Sequence, residues 1–247
     1  MVKTLDDPEP VRPSDPIGTD GANGKGPSGV IGNERLTALA GAVLLVLVLI
    51  ELVSSVSLRI GITIHIIVGI LLVGPLLVKI GSTGYRFLHY YTGSPAYVRR
   101  GPPRLPLRVL APLLLVATLV VVGSGLGLIV TGPQQAGLLL PLHNLSVLIW
   151  LSLIAVHVCA YLWRTSLLVV DDWSKQASRK LRNARWLRLG VNLIAVLCGA
   201  VAAILLFPDT TSWVVWSQTG QTIAAPLVVG LVLASLVLLI SRPWRWM

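Results

Sequence analysis

The chain has 247 residues, of which 54% are hydrophobic and only 12% charged, and its mean hydropathy is +0.80. A soluble domain carries about a quarter charged residues, so this composition cannot cover a water-exposed globular surface. The net charge of +10, from 20 Lys+Arg against 10 Asp+Glu, suits either a nucleic-acid binder or a membrane protein oriented by its loops, and the placement of the cations decides between them. Two cysteines exclude a disulfide scaffold and a Cys-rich metal site.

Residues 1–34 are rich in Pro, Gly and Asp, lack apolar periodicity, and read as a disordered tail. Six apolar stretches follow, at about 36–58, 61–83, 106–130, 142–163, 187–207 and 222–240, each near the roughly 20 residues that cross a bilayer. The first begins behind the polar leader with no cleavage site after it, so a secretory signal is not expected. The predicted fold is an all-α membrane protein with six transmembrane helices. A tail (1–34) precedes a four-helix core (35–164), and a basic loop with two C-terminal helices completes the chain (165–247).

The connections divide the charge unequally. Between the second and third stretches lie Arg86, Arg99, Arg100, Arg104 and Arg108 with no acid. Between the fourth and fifth lie Arg164, Lys175, Arg179, Lys180, Arg182, Arg185 and Arg188 against Asp171 and Asp172. The opposite side carries Arg59, the uncharged turn 131–141, and Asp209 in the loop 208–221. The positive-inside rule therefore predicts a multi-pass membrane protein with both termini cytoplasmic. It also removes nucleic acid from the partners, since the basic residues lie in juxtamembrane loops without a binding motif. Trp173, Trp186, Trp213, Trp216, Trp244 and Trp246 fall near helix ends, where interfacial aromatic belts sit. Cys159 and Cys198 read as small buried side chains.

Ionisable groups inside a membrane are functional candidates by default, and there are few: Glu51, His65, Lys79, His143 and His157, with His89 just past the second helix. His143 and His157 are 14 residues apart, so they share a helix face to within about 40° and lie about 21 Å apart along the axis. That spacing lets one helix ligate two haems stacked across a bilayer. His65, near the outer end of the second helix, matches His143 in depth and is its expected partner on iron. The inner level is open. Lys79 has the depth and face of a partner for His157, but an ammonium does not bind iron; it can snorkel or pair with a propionate. His89 could serve only if the second helix breaks at Gly81 or Gly84 and turns back.

Small residues, Gly123, Ser124, Gly125 and Gly127 on the third helix with Gly69 and Gly74 on the second, suit either passage of a flat macrocycle or close helix packing. Glu51 pairs with Arg59, or acts as a proton acceptor or hydrogen-bond partner at a quinone site near the outer haem.

The run K-I-G-S-T-G-Y-R-F-L-H-Y-Y from Lys79, the R-R-G-P-P run that follows, Gly132–Pro133, L-H-N-L-S-V-L-I-W-L-S-L-I-A-V-H across His143–His157, and His65 with Gly69 resemble bacterial cytochrome b/b6-like and b561-like integral membrane proteins. The resemblance covers the second to fourth helices. It implies a four-helix cytochrome b-like bundle with haem b, one or two per chain, held by His65, His143 and His157. It further implies exchange of electrons with quinone and a redox partner such as a molybdopterin subunit. Lys79 stands where the pattern wants another histidine. Tyr85, Arg86, Tyr90 and Tyr91 are placed to bind propionates or a quinone head group, or to form an interfacial belt.

The expected function is thus a membrane b-type cytochrome, more an electron-transfer subunit than an independent enzyme. The competing expectation is a haem-free anchor or assembly protein on the same scaffold. A coupled transporter fits poorly, because Glu51 is the one buried acid.

Overall fold

Lipid offers no hydrogen bonds, so an apolar run crossing it must satisfy its backbone internally, as a helix does. The computed structural model describes residues 28–99, 105–173, 182–219 and 224–243, and among these there are helices and no strands. They are α1 (Ser28–Ser55), α2 (Leu58–Tyr91), the short α3 (Pro95–Val98), α4 (Leu105–Thr131), α5 (Leu139–Trp173), α6 (Arg185–Leu206), the short α7 (Thr211–Ser217) and α8 (Ala224–Ser241). Among the described residues, five helical stretches are long and apolar enough to cross a membrane: Gly29–Ser55, Leu58–Tyr91, Leu105–Thr131, Leu139–Trp173 and Arg185–Ser217. Of the six expected spans, the last is a shorter apolar helix among the described residues. Outward-facing side chains are apolar, with Ile60 85% and Leu138 86% exposed, a surface suited to lipid rather than water. Cys198 also faces outward on α6 instead of being buried.

Helix α1 packs on α2 and on α5, α4 packs on α5, and α2 carries α6 on its other side while α8 lies on α5. Helices α2 and α5 do not pack backbone to backbone, and the histidine site lies in the separation between them. Glycines set two of the contacts. Gly61 lies against the Ser54 carbonyl just past the α1–α2 turn, and a Cβ there would collide with it. Gly74 meets the Ala195 carbonyl in the same way, so this glycine serves helix packing. Pro75, inside α2, cannot donate to the Leu71 carbonyl one turn back. A Cβ on Gly199 of α6 would stand 2.8 Å from that carbonyl oxygen, so the backbone of α6 covers the group that proline leaves unpaired.

Three sequence expectations change. Helix α1 begins at Ser28, so the last residues of the expected tail are helical, and Asn33, Glu34 and Arg35 hold partners in other helices. Residues 207–217 of the expected loop form a 3-10 turn and α7. Within it Trp213 is 5% exposed and packs in a core cluster with Ile62, Ile66, Leu128 and Ile129. Its indole N–H donates to the Leu128 carbonyl at 2.9 Å, so this tryptophan is a core anchor rather than an interfacial one. Trp173 and Trp186 are exposed at helix ends. Residues 1–27, Arg100, Arg104, Lys175, Arg179, Lys180, Trp244 and Trp246 lie outside the described residues.

The end of the molecule carrying the α1 N-terminus is held by buried ions. Asp172 on α5 accepts from Arg35 of α1 and from Arg188 of α6, and all three side chains are buried. Arg35 also pairs with Asp171, and Arg185 donates to the Asp172 carbonyl. Buried Glu34 faces Arg164 at 3.4 Å and Arg86 at 3.9 Å. Arginine suits such sites because its fork serves two acceptors at once.

Candidate functional site

His65 stands two turns into α2 and His143 one turn into α5, both beside the α1–α2 turn end of the molecule. Their ring centres lie 6.4 Å apart with planes at 78°. The side chains bridge the space that the two backbones leave between them.

Both rings turn Nδ1 toward oxygen atoms. His65 Nδ1 is 2.9 Å from Glu51 Oε1 and 3.0 Å from Ser55 Oγ. Ser55 gives its hydroxyl proton to the Glu51 carbonyl at 2.7 Å, so toward the ring it can only accept. A carboxylate oxygen and a committed hydroxyl both require a proton on Nδ1. The same holds across the gap: His143 Nδ1 faces the Val121 carbonyl at 3.1 Å and Ser124 Oγ at 3.1 Å, and Ser124 gives its proton to the Val120 carbonyl at 2.6 Å. Each ring therefore turns Nδ1 to its neighbours, and neither Nε2 has a hydrogen-bond partner among the described residues, which leaves Nε2 as the nitrogen open to a ligand. An N–H held by a carboxylate or carbonyl on one side, with a free nitrogen on the other, is the arrangement of a metal-ligating histidine.

The separation fits the same use. Two imidazoles ligating one metal from opposite sides have ring centres roughly 6.3 Å apart, given metal–nitrogen bonds of about 2.0–2.1 Å. Small residues make room. A Cβ on Gly125 would lie 3.2 Å from His143 Cε1, and one on Gly69 would lie 3.4 Å from Glu51 Oε1, whereas a Cβ on Gly123 would meet nothing within 4 Å. Gly127 instead seats Leu139. Glu51 turns to His65, and the expected pairing with Arg59 is not made; Arg59 is exposed and its carbonyl accepts from Gln218 at 2.8 Å.

The inner level is built differently. His157 packs on Tyr161 of its own helix with ring centres 4.9 Å apart. Lys79 lies within electrostatic reach of it, but its ammonium donates to the Thr37 carbonyl on α1 at 2.9 Å, beneath Gly41, where a Cβ would stand 2.7 Å from Nζ. Thr37, Ser82 and Asn33 continue this network between α1 and α2. Helix α2 runs unbroken through Gly81 and Gly84 to Tyr91, so the turn that would bring His89 to His157 is absent. His89 bonds the Tyr85 carbonyl at 3.1 Å and packs between Tyr85 and Tyr97. Arg86 faces Glu34.

No histidine thus stands opposite His157 among the described residues, and the donor set suits one bis-imidazole site, at His65 and His143. Val121 was missed by sequence reasoning, and Ser124 was read as a small residue rather than as a partner of the ring. Two serines within reach of two intramembrane histidines were the available signal, and a backbone carbonyl leaves none. No family model, curated protein or solved structure matches the chain.

Proposed function

We propose that the protein is a membrane b-type cytochrome that holds a single haem b between His65 of α2 and His143 of α5. It would pass electrons between the quinone pool and a redox partner. The observation that carries the reading is that both rings have Nδ1 engaged by neighbours and Nε2 without a partner among the described residues, with ring centres 6.4 Å apart. Bound there, haem supplies reversible one-electron chemistry that no side chain of the chain can provide. The protein's share is to orient the two imidazoles, to keep their Nδ1 protons in place, and to surround them with apolar helices that exclude water. Arg86 and Arg164, facing Glu34 at the basic end, lie too far along α2 and α5 to touch this site and serve to join helices.

The same end of the molecule gathers Arg35, Arg86, Arg164, Arg185 and Arg188. Under the positive-inside rule this end faces the cytoplasm of a bacterial inner membrane, which puts the histidine pair near the outer surface, where a quinol or a redox subunit such as a molybdopterin enzyme would meet it.

A haem-free anchor or assembly role is the second reading, and the tethering of Lys79 to Thr37 favours it at the inner level alone. A pyridine haemochrome assay on protein purified from haem-replete cells separates the two. About one haem per chain is expected from the single bis-imidazole site; a stable, colourless preparation overturns the cytochrome.

A further inference from the structure

The two rings are not held alike. His143 Nδ1 is met by a carbonyl and a hydroxyl, both neutral, while His65 Nδ1 is met by a hydroxyl and a carboxyl group. Glu51 makes no other side-chain bond: Oε1 faces His65, and Oε2 is buried with no hydrogen-bond partner among the described residues. An acidic side chain in lipid is expensive, and here its one polar contact is with a proposed ligand. Two features of the fold bring it there. Ser55 and Leu58 bound the tight link between α1 and α2, which brings the last turns of α1 beside the first turns of α2. Gly69, with no side chain, leaves the space against α2 in which Oε1 lies.

Resting on the haem reading above, we propose that Glu51 is a positioning residue that makes His65 the stronger donor of the two axial ligands and so lowers the reduction potential of the site. The carboxyl oxygen draws the Nδ1 proton toward itself. The ring gains imidazolate character, and Nε2 becomes more basic. A more basic axial nitrogen stabilises the oxidised metal over the reduced one, and a negative group close to the iron acts in the same direction. Ser124 and Val121 do neither at His143, so the asymmetry belongs to Glu51.

Redox titration of the purified protein tests this with Glu51→Gln, which keeps an acceptor at Nδ1 but removes the acid. The expected result is unchanged haem content and a reduction equilibrium at least about tenfold more favourable, an upward shift of about 59 mV for one electron. Ser235→Ala, on the exposed face of α8 and in contact with neither ring, is expected to titrate at the wild-type potential. If Glu51→Gln fails to accumulate, Glu51→Asp withdraws the group by one methylene, and the same titration is expected to give a smaller upward shift. A haem-loaded wild type whose Glu51 variants titrate at the wild-type potential overturns the proposal alone. A wild type that binds no haem overturns both the proposal and the reading beneath it.

Discussion

The chain contains the same fourteen-residue step twice, from His65 to Lys79 on α2 and from His143 to His157 on α5, and it treats the two levels oppositely. At the outer level two rings approach each other, each with its Nδ1 engaged by neighbours on α1 or α4. At the inner level the α2 side chain turns away to the Thr37 carbonyl and leaves His157 against Tyr161. Equal spacing on two helices is therefore not enough to make a site. What separates the levels is the acceptor supplied to the far side of each ring, which decides whether a nitrogen is left free.

The widest effect expected from this contrast is all-or-none. His65→Ala and His143→Ala each remove one of the two proposed ligands and are expected to abolish the reduced-minus-oxidised haem spectrum, while His157→Ala keeps it. Loss of the spectrum in His157→Ala with retention in His65→Ala would move the site to the inner level. The ring planes add a signature that needs no variant. If both rings, held at 78° to one another, bound a low-spin ferric haem, they would leave its dxz and dyz orbitals nearly equal in energy, so a strongly anisotropic electron paramagnetic resonance signal is expected; the rhombic spectrum of parallel rings would contradict the geometry.

Next in size is a change that should leave the spectrum intact and weaken the fold. Asp172 answers both Arg35 and Arg188, so Asp172→Asn removes the carboxylate charge that these two buried guanidinium groups share, while Arg35 keeps Asp171; the expected loss is about 3 kcal/mol, the lower end of the range for breaking a buried pair on one side. Thermal unfolding in detergent measures it. A variant as stable as wild type would mean that the ions do not hold α1, α5 and α6 together. Paired with the histidine variants, it separates the end that carries the histidine pair from the basic end that joins the helices.

Some of this was legible in the sequence and some was not, for physical reasons. Hydropathy over about 20 residues locates a span because the solvent is uniform, and depth follows from rise per residue, so His65 and His143 could be set at one level before any coordinates. Partner choice is another matter. Glu51 lies as near in sequence to Arg59 as a salt bridge would ask, yet it turns to His65 because the Ser55–Leu58 link and Gly61 fix how α2 lies on α1. The Arg35–Asp172 bond spans 137 residues, and no periodicity connects two helix ends so distant in the chain. Trp213 looked interfacial because it sits beyond a helix end; its burial depends on a short helix folding back onto Ile62 and Ile66. Lys79 had the right face for His157, and the opening beside Gly41 of α1 drew it elsewhere.

The smallest effect concerns how closely the outer ring is held, and two neighbouring glycines on α4 separate ring support from general packing. A methyl group on Gly125 would lie 3.2 Å from His143 Cε1 and 3.6 Å from Nδ1, so the ring must give by a few tenths of an ångström, and its bonds to Val121 and Ser124 lengthen with it. Gly125→Ala is therefore expected to lose about 1–3 kcal/mol, the range for overpacking a close contact, and to shift the haem absorption bands. Gly123→Ala meets nothing within 4 Å in the protein itself, so without haem it should be as stable as wild type. If a macrocycle fills that space, the same methyl group lowers haem occupancy without lowering the stability of the haem-free protein. Measuring both properties for both variants distinguishes a gap that the chain keeps open for a ligand from one that lipid fills, because lipid tails would accept the methyl group at no cost.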